Sequence, residues 1–302
     1  MDEIDLLLIK TLLMDSRTPY RELAEKLDLS VNAVHKRIQS LMDEGVIHTF
    51  TTKLNLPALG ASTAIIYGLS RGKTDEVCAA LGEDEHIYWV SHGSGGFIYV
   101  GAYLRNIAEL EEVVGLVRSR GLVDNPTVGI MAMPLPDAKE LDLSKLDYRI
   151  IKVLSRDSRR PVSEIAEVLN TSAKTVRRRL DRMLENKLIE CSIEWYPDKS
   201  NDIISMFHIK LAPSIDRIQF AFSMLNKFSP NSLFFFLFSN LPDTILFCTW
   251  SSNTKEVNEQ RRRLDAEEGV VSSVPVILFS GHVYDTWRER LVDEKLAIKP
   301  SS

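Results

Sequence analysis

The strongest chemical signal in the chain is cationic. Lys174, Arg177, Arg178 and Arg182 recur at helical spacing on the face opposite Val176, Leu180 and Met183. Guanidinium groups set out in this way can pair with phosphates or fork onto the edges of guanine. Thr175 and Arg179 lie among them. A second set, Asn32, His35, Lys36 and Arg37, borders the apolar positions Val34, Ile38 and Leu41. Local charge separates the two sets, because residues 142–190 hold 12 Lys/Arg against 8 Asp/Glu, whereas residues 1–50 hold 6 against 9. A formal net charge of −5, which taken globally argues against nucleic acid, therefore conceals a positive patch.

Other chemistries find less support. The six histidines, His35, His48, His86, His92, His208 and His282, make no HExxH and no zinc-type Cys/His spacing, so neither a metal nor a cofactor is expected. Gly93-Ser94-Gly95-Gly96 runs from one strand-like segment into another and lacks the Gly-Lys-Ser/Thr of a phosphate loop, which leaves a tight hairpin or a ligand-sensing turn. With no GxSxG elbow or comparable signature, the chain is expected not to be an enzyme. Cys78, Cys191 and Cys248 are isolated and odd in number, which fits a reducing compartment, by default the cytoplasm. Asn170-Thr171-Ser172 matches a glycosylation acceptor but reads as a helix turn and cap.

The elements that carry these residues repeat. Residues 4–47 align without a gap on residues 146–189: Asp5 meets Asp147, Asp15-Ser16-Arg17 meets Asp157-Ser158-Arg159, Pro19 meets Pro161, Ala24 meets Ala166, and Arg37 meets Arg179. A spacing of 142 residues is too long for a solenoid and suits a duplicated pair of domains. Each repeated unit predicts three helices. Ile4, Leu8 and Leu12 stripe the first, and Leu23, Ala24 and Leu27 face inward from the second. Ser30 caps the third, and Gly45-Val46-Ile47 ends it at a left-handed turn that opens a β-ribbon. Three helices, a tight turn and a ribbon describe a winged helix-turn-helix whose third helix enters the DNA major groove.

The intervening segments read as βαββαβ. In the first copy the strands are Ala61–Ser70, Ile87–Ser91, Phe97–Leu104 and Thr127–Met133, with helices Thr74–Leu81 and Ile107–Arg120. In the second they are Ile203–Leu211, Leu233–Phe238, Thr244–Trp250 and Val271–Phe279, with helices Ile215–Phe228 and Thr254–Glu267. Both patterns predict ferredoxin-like units, each with one sheet face left for a second sheet to bury. His282–Leu296 reads as a final helix, with Val283, Trp287 and Leu291 on one side.

The fold class is therefore α+β, a tandem duplication of a winged helix-turn-helix and a ferredoxin-like βαββαβ domain. The expected domains are 1–50, 51–140, 141–195 and 196–281, followed by a helix and tail at 282–302. At 302 residues, with 44% apolar and 26% charged content, the chain is large enough for several packed units. Its acidic start is unlike a secretion signal. The apolar window Leu233–Trp250 is broken by Ser239, Asn240, Pro242 and Asp243, so no membrane span is expected.

These motifs resemble the leucine-responsive/asparagine-type (Lrp/AsnC) family of transcription regulators. The resemblance is carried by IDLLLIKTL from Ile4 and LDYRIIKVL from Leu146, by DSRxPxxELA from Asp15 and DSRRPVSEIA from Asp157, and by the Ser30 segment ending in Gly45-Val46-Ile47. It covers nearly the whole chain, twice. It implies double-stranded DNA as partner, read by Asn32, His35, Lys36 and Arg37 and by Lys174, Arg177, Arg178 and Arg179. It also implies a dimerising βαββαβ domain that senses a small effector such as an amino acid near a glycine-containing turn, here Gly93, Gly95 and Gly96. Either a homodimer or a pseudo-dimer within one chain would supply the pair. The second copy departs at that turn, with Ser239-Asn240-Leu241-Pro242-Asp243, and has Lys187 where the first has Gly45. Siroheme decarboxylases are similar to this family in architecture, and Val90-Ser91-His92 resembles their pattern, so an enzyme of that type is one alternative. An interaction scaffold without DNA contact is the other.

Overall fold

A computed structural model describes residues 1–132 and 142–297. The expected boundary at 140/141, the strand end at Met133 and the tail from 298 lie outside the described residues. In chain order the elements are α1 (Glu3–Met14), α2 (Tyr20–Leu27), α3 (Val31–Asp43), β1 (Ile47–Leu54), β2 (Ser62–Leu69), α4 (Thr74–Gly82), β3 (Ile87–Gly93), β4 (Phe97–Leu104), α5 (Leu110–Ser119) and β5 (Thr127–Ile130). The second copy continues with α6 (Lys145–Leu154), α7 (Val162–Val168), α8 (Ala173–Glu185), β6 (Ile189–Trp195), β7 (Ile203–Leu211), α9 (Arg217–Lys227), β8 (Ser232–Leu237), β9 (Thr244–Ser251), α10 (Thr254–Asp265), β10 (Val270–Val283) and α11 (Trp287–Leu296).

The chain divides by kind rather than by order. Among the described residues one unit gathers 1–7, 62–132 and 196–284, and the other 8–61, 142–195 and 285–297. The first unit thus holds both βαββαβ copies, and the second holds both helix-turn-helix copies except Met1–Leu7 at the start of α1.

In the first unit the eight strands form one sheet in the order β5-β2-β4-β3-β10-β7-β9-β8. The second strand of the first copy, β3, pairs antiparallel with the last strand of the second, with Ser280 opposite His92 and His282 opposite Val90. The outer edges meet as well. Met131 bridges Phe238, the Ser239 amide donates to the Ile130 carbonyl and the Ala132 amide to the Leu237 carbonyl, both at 2.8 Å. The sheet therefore closes on itself, which removes the exposed edges that would otherwise template aggregation. Alternation sends Ala64, Ile66, Val100 and Ala102 outward to Val77, Leu81, Val113 and Val117 of α4 and α5. Phe207, Ile209 and Phe247 do the same against α9 and α10.

The opposite residues face inward and are mostly aromatic. Tyr67 stacks on Tyr99 at 6.0 Å and meets Phe238 at 6.4 Å. His208 lies 5.1 Å from Phe97 and 5.3 Å from Tyr67. Burial raises both tyrosine hydroxyls, Tyr67 to about 12, and lowers His208 to about 4. The neutral Tyr99 phenol and Nε2 of a neutral His208 share a hydrogen bond at 2.6 Å.

One predicted element is corrected here. The helix read from His282 begins only at Trp287, and His282 and Val283 belong to β10. The i, i+4 spacing of Val283, Trp287 and Leu291 suggested a helix, but the free backbone of β3 was available to residues 280–283 and extended the strand to 14 residues.

The second unit is built on a ribbon made by both copies. β1 pairs antiparallel with β6, Phe50 opposite Ile193 and Thr52 opposite Cys191, so the strand that each Gly45-type turn opens is completed by the other copy. Equivalent residues then meet across the repeat. Ser16 and Ser158 hydroxyls are 2.6 Å apart, Arg17 donates to the Ser158 carbonyl, and Arg159 donates to the Ser16 carbonyl at 2.6 Å. Helix α11 locks this ribbon. Its Thr286–Glu289 capping box starts it, Val292 joins the core of the second copy, and buried Arg288 reaches Glu190 at 2.8 Å. Burial alone would raise the Glu289 carboxyl, but Arg288 and Lys53 outweigh it and bring it to about 2.

An unfolded histidine takes up a proton near pH 6.5, whereas folded His208 refuses it until about 4. Stability contributed by neutral His208 is thus present above pH 6.5 and is lost as pH falls toward 4. The thermal midpoint of the native chain should drop more over that window than that of His208→Gln, which keeps an acceptor for Tyr99. Equal drops in circular-dichroism melts would refute this account.

Candidate nucleic-acid interface

The two third helices are built alike. Both span 13 residues. Ser30 accepts from the Ala33 amide and Ser172 from the Thr175 amide, each at 3.1 Å. Each satisfies a donor that a helix start leaves unpaired. The turns before them end in equivalent left-handed residues, Asp28 at φ 52° and Asn170 at φ 50°, side chains that tolerate this region. Gly45 at φ 77° and Lys187 at φ 52° close the helices in the same way, so Lys187 keeps the geometry of the glycine it replaces despite its Cβ. Val34, Ile38 and Leu41 are buried in one helix, and Val176, Leu180 and Met183 in the other. The remaining faces are consequently presented in the same frame.

The ten expected DNA-contact residues separate into two groups. Asn32, His35 and Lys36 on α3 and Lys174, Arg177 and Arg178 on α8 are exposed. The Thr175 hydroxyl is 2.8 Å from that of Ser172, at the cap. Arg179 and Arg182 instead turn back to their own unit. Arg179 donates to Ser144 at 2.8 Å and to both oxygens of Asp147 at 3.1 Å, and Arg182 reaches Asp147 at 2.9 Å. Asp147 is wholly buried. Burial pushes its carboxyl up, but hydrogen bonds from Ser144 and then Arg179 outweigh this and hold it below the usual carboxylate range. Arg37, the counterpart of Arg179, is half-buried. Helical spacing alone could not distinguish the inward-turned arginines from the free ones, although the repeated pairs Asp5/Arg37 and Asp147/Arg179 were visible in the sequence.

The glycine turn behaves differently. A Cβ on Gly93 would fall 2.6 Å from Val276 Cγ1 and 2.7 Å from the Ile277 carbonyl, so β10 packing explains that residue. Gly95 has φ 72° and open space around it, and Gly96 has φ 79°. Beside this turn lies a cluster that the sequence reading missed, because it placed His282 on a helix. His92 Nδ1 is 2.8 Å from the Ser280 hydroxyl, which is 3.5 Å from His282 Nε2. Burial and then His282 lower the His92 imidazole, against Asp75 and Asp198. Among the described residues no three His, Cys, Asp or Glu side chains are grouped to hold a metal. The three cysteines are free and buried, and no described helix is long and apolar enough to cross a membrane.

Family comparisons agree with this geometry. A winged helix-turn-helix DNA-binding model matches residues 1–48, and an AsnC-type helix-turn-helix model matches residues 143–184. An uncharacterized HTH-type transcriptional regulator of Pyrococcus horikoshii is 31% identical over 153 residues, 50% of this chain and 97% of that protein. The chain belongs to the Lrp/AsnC family. Within that family it is also similar to LrpA of Pyrococcus horikoshii, 32% identical over 38% of this chain and 83% of that one. FL11 of Pyrococcus abyssi is 34% identical over 39% and 81% respectively. The solved siroheme decarboxylase NirDL has the same fold along 98% of this Lrp/AsnC chain and 99% of its own, with a TM-score of 0.62 at 16% identity.

The buried Asp147 joins the start of α6 to α8. Asp147→Ala should destabilise the helix-turn-helix unit by about 2 kcal/mol through the lost cap and ion pairs, a figure held down by the partial exposure of both arginines. Urea denaturation measures it, and a change under about 0.5 kcal/mol would deny Asp147 this role.

Proposed function

We propose that the chain is a cytoplasmic Lrp/AsnC-type regulator in which a single polypeptide supplies both halves of the DNA-binding pair. The observation that carries this reading is the exposed cationic row Lys174, Arg177 and Arg178 on a capped, groove-sized third helix, alongside family membership. Double-stranded DNA is the partner. Asn32, His35 and Lys36 contact it from α3, and Lys174, Thr175, Arg177 and Arg178 from α8. Arg37, Arg179 and Arg182 act indirectly, by setting how those helices are held. The shared sheet and the β1–β6 ribbon support an intrachain pseudo-dimer over the need for a second chain.

Phosphate contacts release counterions, so affinity should fall steeply with salt. Arg177→Ala with Arg178→Ala should weaken operator binding and reduce the salt slope by about one unit for each phosphate no longer neutralised, with unchanged melting. Fluorescence anisotropy across a salt series measures both. An unaltered slope would remove α8 from the interface.

Sensing is assigned to the Gly95–Gly96 turn, with an amino acid as effector, on the strength of the open space at Gly95. The enzyme reading is favoured by one observation, the His92–Ser280–His282 cluster, and we set it second because the exposed cationic helix has no part in such a reaction. One calorimetric panel separates these. Amino acids should give binding heat that Gly95→Val abolishes, and an iron porphyrin should give none. Flat amino-acid titrations would retire the sensing role, and stoichiometric porphyrin binding lost in His92→Ala would restore the enzyme.

A further inference from the structure

We infer that the operator is not palindromic, and that its two halves are read by different chemistry. The inference rests on the DNA-binding reading above. In a symmetric dimer, operator palindromy mirrors the identity of the two reading helices. Here the helices share length, cap, buried stripe and closing turn, so residue n on α3 occupies the frame of residue n + 142 on α8. The exposed positions in that frame are Asn32, His35 and Lys36 on one helix and Lys174, Arg177 and Arg178 on the other. Arginine and lysine match the O6 and N7 acceptors of guanine, whereas asparagine matches the acceptor and donor of adenine. The α8 half is therefore guanine-bearing and rich in phosphate contacts. The α3 half carries adenine opposite Asn32 and fewer phosphate contacts.

The difference extends below the surface. His35 rests against the Tyr20 ring, 5.5 Å between centroids, and Arg159 stacks on the same ring at 4.3 Å. The equivalent of Tyr20 in the second copy is Val162, so no aromatic ring stands at that position beside Arg177. The imidazole of His35 thus has a ring to rest on, whereas exposed Arg177 lacks that counterpart.

The test begins with selection of tight-binding duplexes from a random pool by the full chain. Three duplexes are then compared by anisotropy: the selected operator, and the two palindromes made by repeating each half. The selected order should bind about 10-fold or more tightly than either palindrome. Asn32→Lys, His35→Arg and Lys36→Arg together should shift the preference to the guanine-half palindrome. The reciprocal variant, Lys174→Asn with Arg177→His, should shift it to the adenine-half palindrome, and all the substituted positions are exposed, which keeps both variants foldable. A palindromic selected operator, or palindromes bound as tightly as the selected order, overturns the inference while leaving the regulator reading intact. Failure to retain any sequence over random duplex overturns the regulator reading itself.

Discussion

Each βαββαβ copy has two strand edges whose backbone groups need partners, and the structure depends on how those four edges are satisfied. The second strand of either copy meets the last strand of the other, once along β3 and β10 and once where β5 approaches β8. Pairing both edges in the same sense generates an approximate twofold relation and closes the sheet. Closure then creates the aromatic interior around Tyr67, Tyr99 and His208, since inward-facing residues from both copies must fill one space. The same logic recurs in the helix-turn-helix unit. There β1 lacks a partner in its own copy and takes β6, and the Ser16/Ser158 and Arg17/Arg159 contacts follow from that pairing.

Edge pairing also explains which features were legible in the sequence. The repeat, the helix order and the βαββαβ pattern follow from local periodicity, and most element ends in the structure lie within a residue or two of those read from it. What periodicity could not supply was the partner of each edge. The last strand was underestimated for that reason, because residues 280–283 are strand only by virtue of β3. The misplacement of His282 then concealed its position beside His92. A strand that depends on a distant edge carries little local signal.

The candidate interface was legible to a similar depth. Residue type and spacing identified both third helices and their caps. The division of labour among the cations required a three-dimensional reason, the buried carboxylate of Asp147. A buried charge must be paired and hydrogen-bonded, so it draws Arg179 and Arg182 toward it and leaves Lys174, Arg177 and Arg178 for solvent or ligand. The glycine turn was half legible. Positive φ accounts for Gly95 and Gly96, while Gly93 answers to the close approach of Val276 and Ile277, residues more than 180 positions away.

Fusion of the two copies changes what substitution can do. In a homodimer, an arginine added to the reading helix appears at both half-sites, so readout and overall charge change together. In one chain the positions separate, and the two copies have diverged in opposite directions: residues 1–50 carry more acid than base, and residues 142–190 the reverse. One contact between the copies has not diverged at all. Asp15-Ser16-Arg17 and Asp157-Ser158-Arg159 are identical and make reciprocal bonds across the repeat. Identity is retained in this tripeptide, where the same side chains serve both sides of the pseudo-twofold contact. It disappears at the exposed helix faces, where Asn32, His35 and Lys36 stand in the places of Lys174, Arg177 and Arg178.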